Sequence, residues 1–270
     1  MKTKYKIFLA KILVFFLTLF INQKQIVKRK QLKWELDLNE GIDLSLFLFG
    51  LSEQKIILLK RILKNKKSTF IDIGANIGSV TLPLVNIFNK SLIYAIEPTY
   101  YAYKKLKKNI SLNKSLGPRI ITKQQFISNS KKPTKVWSSW GLNTNEKLKH
   151  NIHRGILKKI KKGAYISLDK FIKVNKIKNL DFIKIDVDGH ELDVLKSGFK
   201  SLKKLKPIIF IEFCPYLYPK LGINYLEITS LIKKIGYVFY DHNLQKVDDI
   251  NVVIKDIPYG AGKNFFLLKR

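Results

Sequence analysis

The chain has 270 residues, 46% of them hydrophobic, a formal net charge of +31 and a single cysteine. That length suits one large domain with a short extension, and that apolar share can build a core, so a disordered chain is excluded. A lone Cys214 excludes an internal disulfide framework and a multi-cysteine zinc site, and it suits a reducing, cytoplasmic interior. The charge has two readings. One is attraction to nucleic acid, anionic lipid or an acidic substrate. The other is compositional drift, since Lys, Ile and Asn are all plentiful and the lysines are scattered along the chain.

Residues 1–35 form a basic–hydrophobic segment with a basic start, an apolar run and a basic finish. The uninterrupted run from Ile12 to Ile21 is shorter than the roughly 20 residues a bilayer needs. No small-x-small cleavage site follows, which argues against a removable signal peptide. A marginal anchor, an interfacial helix on anionic lipid and a helix packed on the domain all remain open. Residues 36–67 read as a linker and then a helix, capped by Ser52 and striped by Ile56, Leu59, Ile62 and Leu63.

From residue 68 to 270 strands alternate with helices. "TFIDIG" (69–74) is a strand, followed by the helix "SVTLPLVNIF". "LIYAIEP" (92–98) is the next strand, followed by the helix "YYAYKKLKKNISLN". "RIITKQQFIS", "KNLDFIKIDVDG", "KPIIFIEF", "YVFYDH" and "KNFFLLKR" supply five more strands, with helices over 190–205 and 224–236. Short apolar runs between turn signals suit strands covered on both faces, and the alternation implies a doubly wound α/β domain with a mostly parallel sheet. The polar segment 128–165 interrupts the pattern, as a lid or substrate loop does.

Open α/β sheets bind ligands beyond the carboxyl ends of their strands. The first turn, Gly74-Ala-Asn-Ile-Gly78, lacks the central glycine of a dinucleotide fingerprint and has no Gly-Lys-Ser/Thr. Asp72, two residues earlier, would repel a pyrophosphate but attract an ammonium group. Glu97 closes the second strand about 20 residues on, where an acid can bind a ribose diol. An ammonium, a diol and no pyrophosphate describe S-adenosylmethionine better than NAD.

"FIDIGANIGSVTL", "IYAIEPTYYAYKKLKKNISLN", "ISLDKFI", "LDFIKIDVDGHELDVLKSG" and "PIIFIEF" together resemble the FkbM family of S-adenosylmethionine-dependent methyltransferases, over about residues 68–215. The resemblance implies a Rossmann-like class I fold with a seven-stranded sheet. It also implies O-methylation of a sugar, glycan or other small hydroxylated acceptor. Residue by residue, it places Asp72, Gly74, Asn76 and Gly78 in the cofactor turn, Glu97 on the ribose, and Ser128 and Asn129 near the adenine. It sets Asp186 against the transferred methyl, and Ser138 and Ser139 with their neighbouring tryptophans in the acceptor region.

Moving a methyl group to a hydroxyl needs a group that takes the proton. "KIDVDGHE" offers His190, which has the intrinsic pKa of a general base, while Asp186 at the strand mouth shapes the reaction centre. Asp188 and Glu191 suit a helix cap and first turn. Asp186 and Asp188 with Glu212 or Asp241 could ligate Mg²⁺, but the spacing is unspecific and no metal is expected. Lys184 shares a strand face with Asp186 and could orient it. Nucleic acid is disfavoured as a substrate, because the Asn/Asp-Pro-Pro-Tyr/Phe and Pro-Cys signatures of base methylation are absent; RNA ribose methylation stays conceivable. A membrane-attached binding protein without catalysis is the other rival.

Overall fold

The computed structural model describes residues 3–50, 54–63, 67–130, 133, 135–142, 149–152, 154–160 and 164–269. An N-terminal helix α1 (Thr3–Thr18) leads into strands β1 (Lys24–Arg29) and β2 (Leu32–Asp37), then helices α2 (Gly41–Phe49) and α3 (Gln54–Ile62). β1 and β2 pair antiparallel from Lys24 opposite Asp37 to Arg29 opposite Leu32. Leu32, Trp34 and Leu36 alternate into the core on β2, as a half-buried strand requires. The linker expected to begin at residue 36 therefore starts as packed structure. Ser52, the expected cap, lies outside the described residues, and Leu59 and Leu63 are buried as the helical stripe predicts.

The domain proper runs β3 (Thr69–Ile73), α4 (Thr81–Ile87), β4 (Leu92–Ile96), α5 (Tyr100–Leu112) and β5 (Ile120–Lys123). It continues with β6 (Phe126–Ile127), β7 (Lys135–Trp140), β8 (Gly155–Lys159), β9 (Tyr165–Ile166), α6 (Leu168–Val174) and β10 (Phe182–Ile185). The last elements are α7 (Glu191–Ser197), α8 (Phe199–Leu205), β11 (Ile208–Phe213), α9 (Tyr225–Ile235), β12 (Tyr237–Tyr240), α10 (Ile250–Lys255) and β13 (Lys263–Lys269). Seven strands form one sheet in the order β12-β13-β11-β10-β3-β4-β5. β11, β10, β3, β4 and β5 pair parallel, while β13 runs antiparallel between β11 and β12. This is the doubly wound, mostly parallel seven-stranded α/β architecture expected from the sequence, and all seven strands coincide with apolar runs.

Each sheet face has its own core. Ile71, Ile73, Ile183, Ile185, Ile209 and Ile211 point to one, and Phe70, Phe182 and Phe210 to the other. Burying one such phenylalanine is worth about 2–3 kcal/mol. Trp34 and Leu36 join the phenylalanine core, so the N-terminal hairpin is part of the same packed body. Two asparagines of the α5 region lock it there. Asn109 Oδ1 accepts from the Glu35 amide (2.8 Å), and Asn113 Oδ1 from the Lys33 amide (2.9 Å). Within the interrupting segment β7 pairs antiparallel with β8, and β6 pairs with β9 in parallel.

Candidate active site

Strand alternation places the polar residues. Asp72, Lys184 and Glu212 follow Phe70, Phe182 and Phe210 by two residues, so they continue the phenylalanine face toward the carboxyl end of the sheet. Register sets Lys184 opposite Asp72. Asp72 is fully buried, accepts from Thr81 Oγ1 at 2.6 Å and lies 3.4 Å from Lys184 Nζ. The same ammonium donates to the Gly74 carbonyl at 2.7 Å and sits 3.2 Å from Asp186. Burial opposes its charge, but Asp186 and Asp72 outweigh burial and hold Lys184 above the usual lysine value.

The turn after β3 is pressed onto β10. Gly74 has φ 78°, and a Cβ there would overlap the Asp186 carbonyl oxygen. No side chain fits that approach. The Gly74 and Ala75 amides both donate to Ile96 O at 3.0 Å. Asn76, left-handed at φ 48°, aims its amide at Glu97 Oε2 (3.0 Å). Glu97 Oε1 accepts from the Thr99 amide (3.0 Å) and hydroxyl (2.7 Å). Burial raises the Glu97 carboxyl above its ordinary value, against the pull of these hydrogen bonds.

A cavity of about 310 Å³ opens over these strand ends. Its floor is Ile73, Gly74 and Asn76, with Glu97 at one end and Asp186, Asp188 and Glu212 at the other. Glu40, Ile42, Asp43 and Tyr101, then Gln125, Phe126 and Ile127, and Trp137 and Ser138 of β7 also line it. Gln125 Oε1 is buried there without a hydrogen-bond partner. The acid end is crowded. Glu212 hydrogen-bonds Asp186, and burial with the Asp186 charge pushes its carboxyl up to about 9. Burial likewise lifts Glu191 to about 7. Asp188 is exposed, so water screens the upward push that the Asp186 and Glu191 carboxylates exert on it. At neutral pH Glu212 thus carries a proton beside Asp186, whose side chain is 38% exposed. Among the described residues no three His, Cys, Asp or Glu side chains are arranged to hold a metal ion.

The structure brings Gly74, Asn76, Glu97, Asp186 and Ser138 to this cavity and leaves other expected residues outside it. Asp72 lies one layer beneath, as the counter-ion of Lys184, and Gly78 meets Leu106 instead of the cavity. Ser128 is buried and accepts from the Ser130 amide at 2.9 Å, and Asn129 points to solvent; the preceding Gln125, Phe126 and Ile127 line the cavity instead. His190 turns away. Its ring stands edge-on to Phe126 at 5.3 Å, lies 3.5 Å from Asp193, and lines a separate cleft with Ser130 and Lys196. Gly189, at φ 99°, redirects the chain just before it. The side chain of Ser139 lies outside the described residues. Sequence reasoning grouped Glu212 with Asp186 only as a possible Mg²⁺ ligand and missed the direct hydrogen bond between the two carboxyl groups. The available signal was an acid at the mouth of an otherwise apolar strand, "IIFIEF", level with Asp186 once β10 and β11 pair.

The family model described as "Methyltransferase FkbM domain" matches residues 72–239, a range that holds the carboxyl ends of β3, β4, β5, β10 and β11. The chain belongs to the FkbM methyltransferase family. The family is S-adenosylmethionine-dependent, and S-adenosylmethionine is the cofactor. Among solved structures, the methyltransferase FkbM from Methylobacillus flagellatus KT is 16% identical with a TM-score of 0.47, the match covering 75% of this chain and 44% of that one. The chain therefore spans under half the length of that protein. M. jannaschii TYW2, solved in complex with AdoMet, is 17% identical with a TM-score of 0.43, covering 92% and 85%. A TehB-like SAM-dependent methyltransferase from Corynebacterium glutamicum is 8% identical with a TM-score of 0.46, covering 84% and 92%. No curated protein matches the chain.

Proposed function

We propose that this family member O-methylates a hydroxyl of a sugar, glycan or other small metabolite, in the cytoplasm, with residues 1–35 at a membrane surface. The observation that supports it is one cavity bounded by Glu97 at one end and the Asp186–Glu212 pair at the other. The residues present fit the cofactor. A carboxylate has about four lone-pair sites, and the protein fills three on Glu97, leaving one on Oε2 for a ribose hydroxyl. The buried, unpartnered Gln125 Oε1 suits the amino group of an adenine. Gly74 keeps the backbone low enough to admit the nucleoside.

The bound cofactor supplies an electrophilic methyl group. Asp186 would take the proton of the acceptor hydroxyl. Lys184 holds Asp186 by its 3.2 Å ion pair, and Glu212 donates a hydrogen bond to it. Asp186 is thus held by two neighbours while its side chain stays 38% exposed, which leaves it open to an acceptor hydroxyl. His190 is not given the base role, because it lines another cleft. Calorimetric titration with S-adenosylmethionine tests the cofactor assignment. Glu97→Ala should weaken binding about tenfold or more, as the loss of a charge-assisted hydrogen bond predicts; wild-type affinity would overturn it. RNA ribose methylation is the reading the +31 charge favours, and a salt-sensitive RNA gel shift with label entering RNA would select it instead.

A further inference from the structure

Helix α1 is packed by a narrow stripe and leaves most of its apolar surface uncovered. Ile7, Ala10 and Val14 are buried against Leu38, Leu44 and Leu142. Phe8, Phe15 and Phe16 are 57–63% exposed, Leu9 and Ile12 are also exposed, and Phe20 beyond the helix is 87% exposed. Sixteen helical residues reach about 24 Å, short of a hydrocarbon core of about 30 Å. No helix among the described residues is long and apolar enough to cross a membrane.

Charge selects what covers this face. No Asp or Glu precedes Glu35, whereas Lys6 and Lys11 stand exposed on the helix and Lys24, Lys28 and Lys30 on the hairpin that follows. A second copy would set two basic segments of a +31 chain against each other. An anionic lipid surface answers both properties at once, with acyl chains for the aromatic rings and headgroups for the ammonium groups. The helix also sits behind the active-site wall. Leu38 and Leu44 pack on α1, while Glu40, Ile42 and Asp43 between them line the cavity. Leu142 packs on α1 as well, and Trp137 and Ser138 of the same segment line the cavity. Leu142 N bonds Asn39 O at 2.7 Å and joins the two halves of that wall.

We propose that α1 lies flat in the surface of an anionic bilayer and that the methyl acceptor is a hydroxylated headgroup carried by a lipid. This rests on the methyl-transfer reading above. The helix shares its seat with the cavity wall, so docking holds the cavity against the headgroup layer. A lipid-borne acceptor then reaches it by moving along the surface.

The test floats the full chain with phosphatidylcholine vesicles, with and without phosphatidylglycerol. A Phe8→Ser/Phe15→Ser/Phe16→Ser variant keeps the Ile7, Ala10 and Val14 seat. The wild type should float with the anionic vesicles and the variant about tenfold less or worse. Equal flotation of the two, no flotation of the wild type, or a dimer burying this face in sedimentation equilibrium overturns the proposal. In parallel, methyl-labelled S-adenosylmethionine is supplied with the organic-phase lipids of the producing cells in vesicles, and separately with their aqueous metabolites. Label should enter the lipid fraction and be lost in the variant, whose calorimetric cofactor affinity should equal the wild type's. Label confined to the aqueous fraction overturns the lipid acceptor. Flotation without cofactor binding by the wild type overturns methyl transfer and leaves the docking surface standing.

Discussion

The turns after β3 and β10 are neighbours, built from similar backbone, yet they do opposite things with charge. Each has a left-handed non-glycine residue followed by a left-handed glycine: Asn76 then Gly78, Asp188 then Gly189. The first turn is self-satisfied. Its amides go to Ile96 and Glu97, its carbonyl to Lys184, and its cavity surface is largely neutral. The second gathers Asp186, Asp188 and Glu191 beside Glu212, and burial, with the neighbouring acids adding to it, raises the Glu191 and Glu212 carboxyls. A neutral cradle suits a nucleoside, and an edge of carboxyl groups suits a reaction that releases a proton. Lys184 is the hinge between them, bonded to both turns.

The largest break in that arrangement should come from Gly74→Ala. Its Cβ would collide with the Asp186 backbone, which cannot yield as a side-chain tip can. We expect no folded protein, or a Tm lowered by more than about 10 °C. Gly222→Ala is the control, since it is also left-handed (φ 66°) but has nothing near its Cβ; it should cost only about 1–2 kcal/mol. Next, Lys184→Met strands the fully buried Asp72 carboxylate. Urea unfolding should show a loss of about 3–5 kcal/mol, partly restored by adding Asp72→Asn.

Glu212→Gln should then separate chemistry from binding. Turnover should fall by about tenfold or more while S-adenosylmethionine affinity holds, because only the acid end is touched. The same variant carries a pH signature. A carboxyl raised in the folded state keeps a proton that the unfolded chain gives up, so stability falls as pH rises between the ordinary glutamate value and about 9. Thermal melts of the ligand-free wild type should decline over that window, and those of Glu212→Gln should decline less. The smallest effect belongs to His190→Ala, which should leave turnover within about twofold. A tenfold loss would return His190 to the proton path.

The legible parts of this molecule were those where local pattern and tertiary role agree. Seven apolar runs became seven strands because a strand buried on both faces needs nothing but apolar residues and punctuation. Gly74, Asn76, Glu97 and Asp186 could be placed because they stand at strand ends. Two hairpins escaped. β1–β2 is rich in lysine on its outer face, so its alternation passed for a basic tail, and β7–β8 lies inside a polar stretch whose turn formers suggested a loop. Asp72 and Glu212 show a deeper limit. Position along a strand tells that an acid nears the mouth, but only the pairing of strands tells which cation or carboxyl it meets. His190 needed the direction set by Gly189, which residue spacing does not encode.

The antiparallel strand between β11 and β12 has a consequence for biosynthesis. β12 is made first but sits outside β13, so it has no sheet partner until the later segment has been synthesised and has slid between them. During translation, β11 therefore presents a bare, aromatic-rich edge, and Phe210 and Phe213 await Phe265 and Phe266. Until β13 arrives, that edge is open to pairing with another chain.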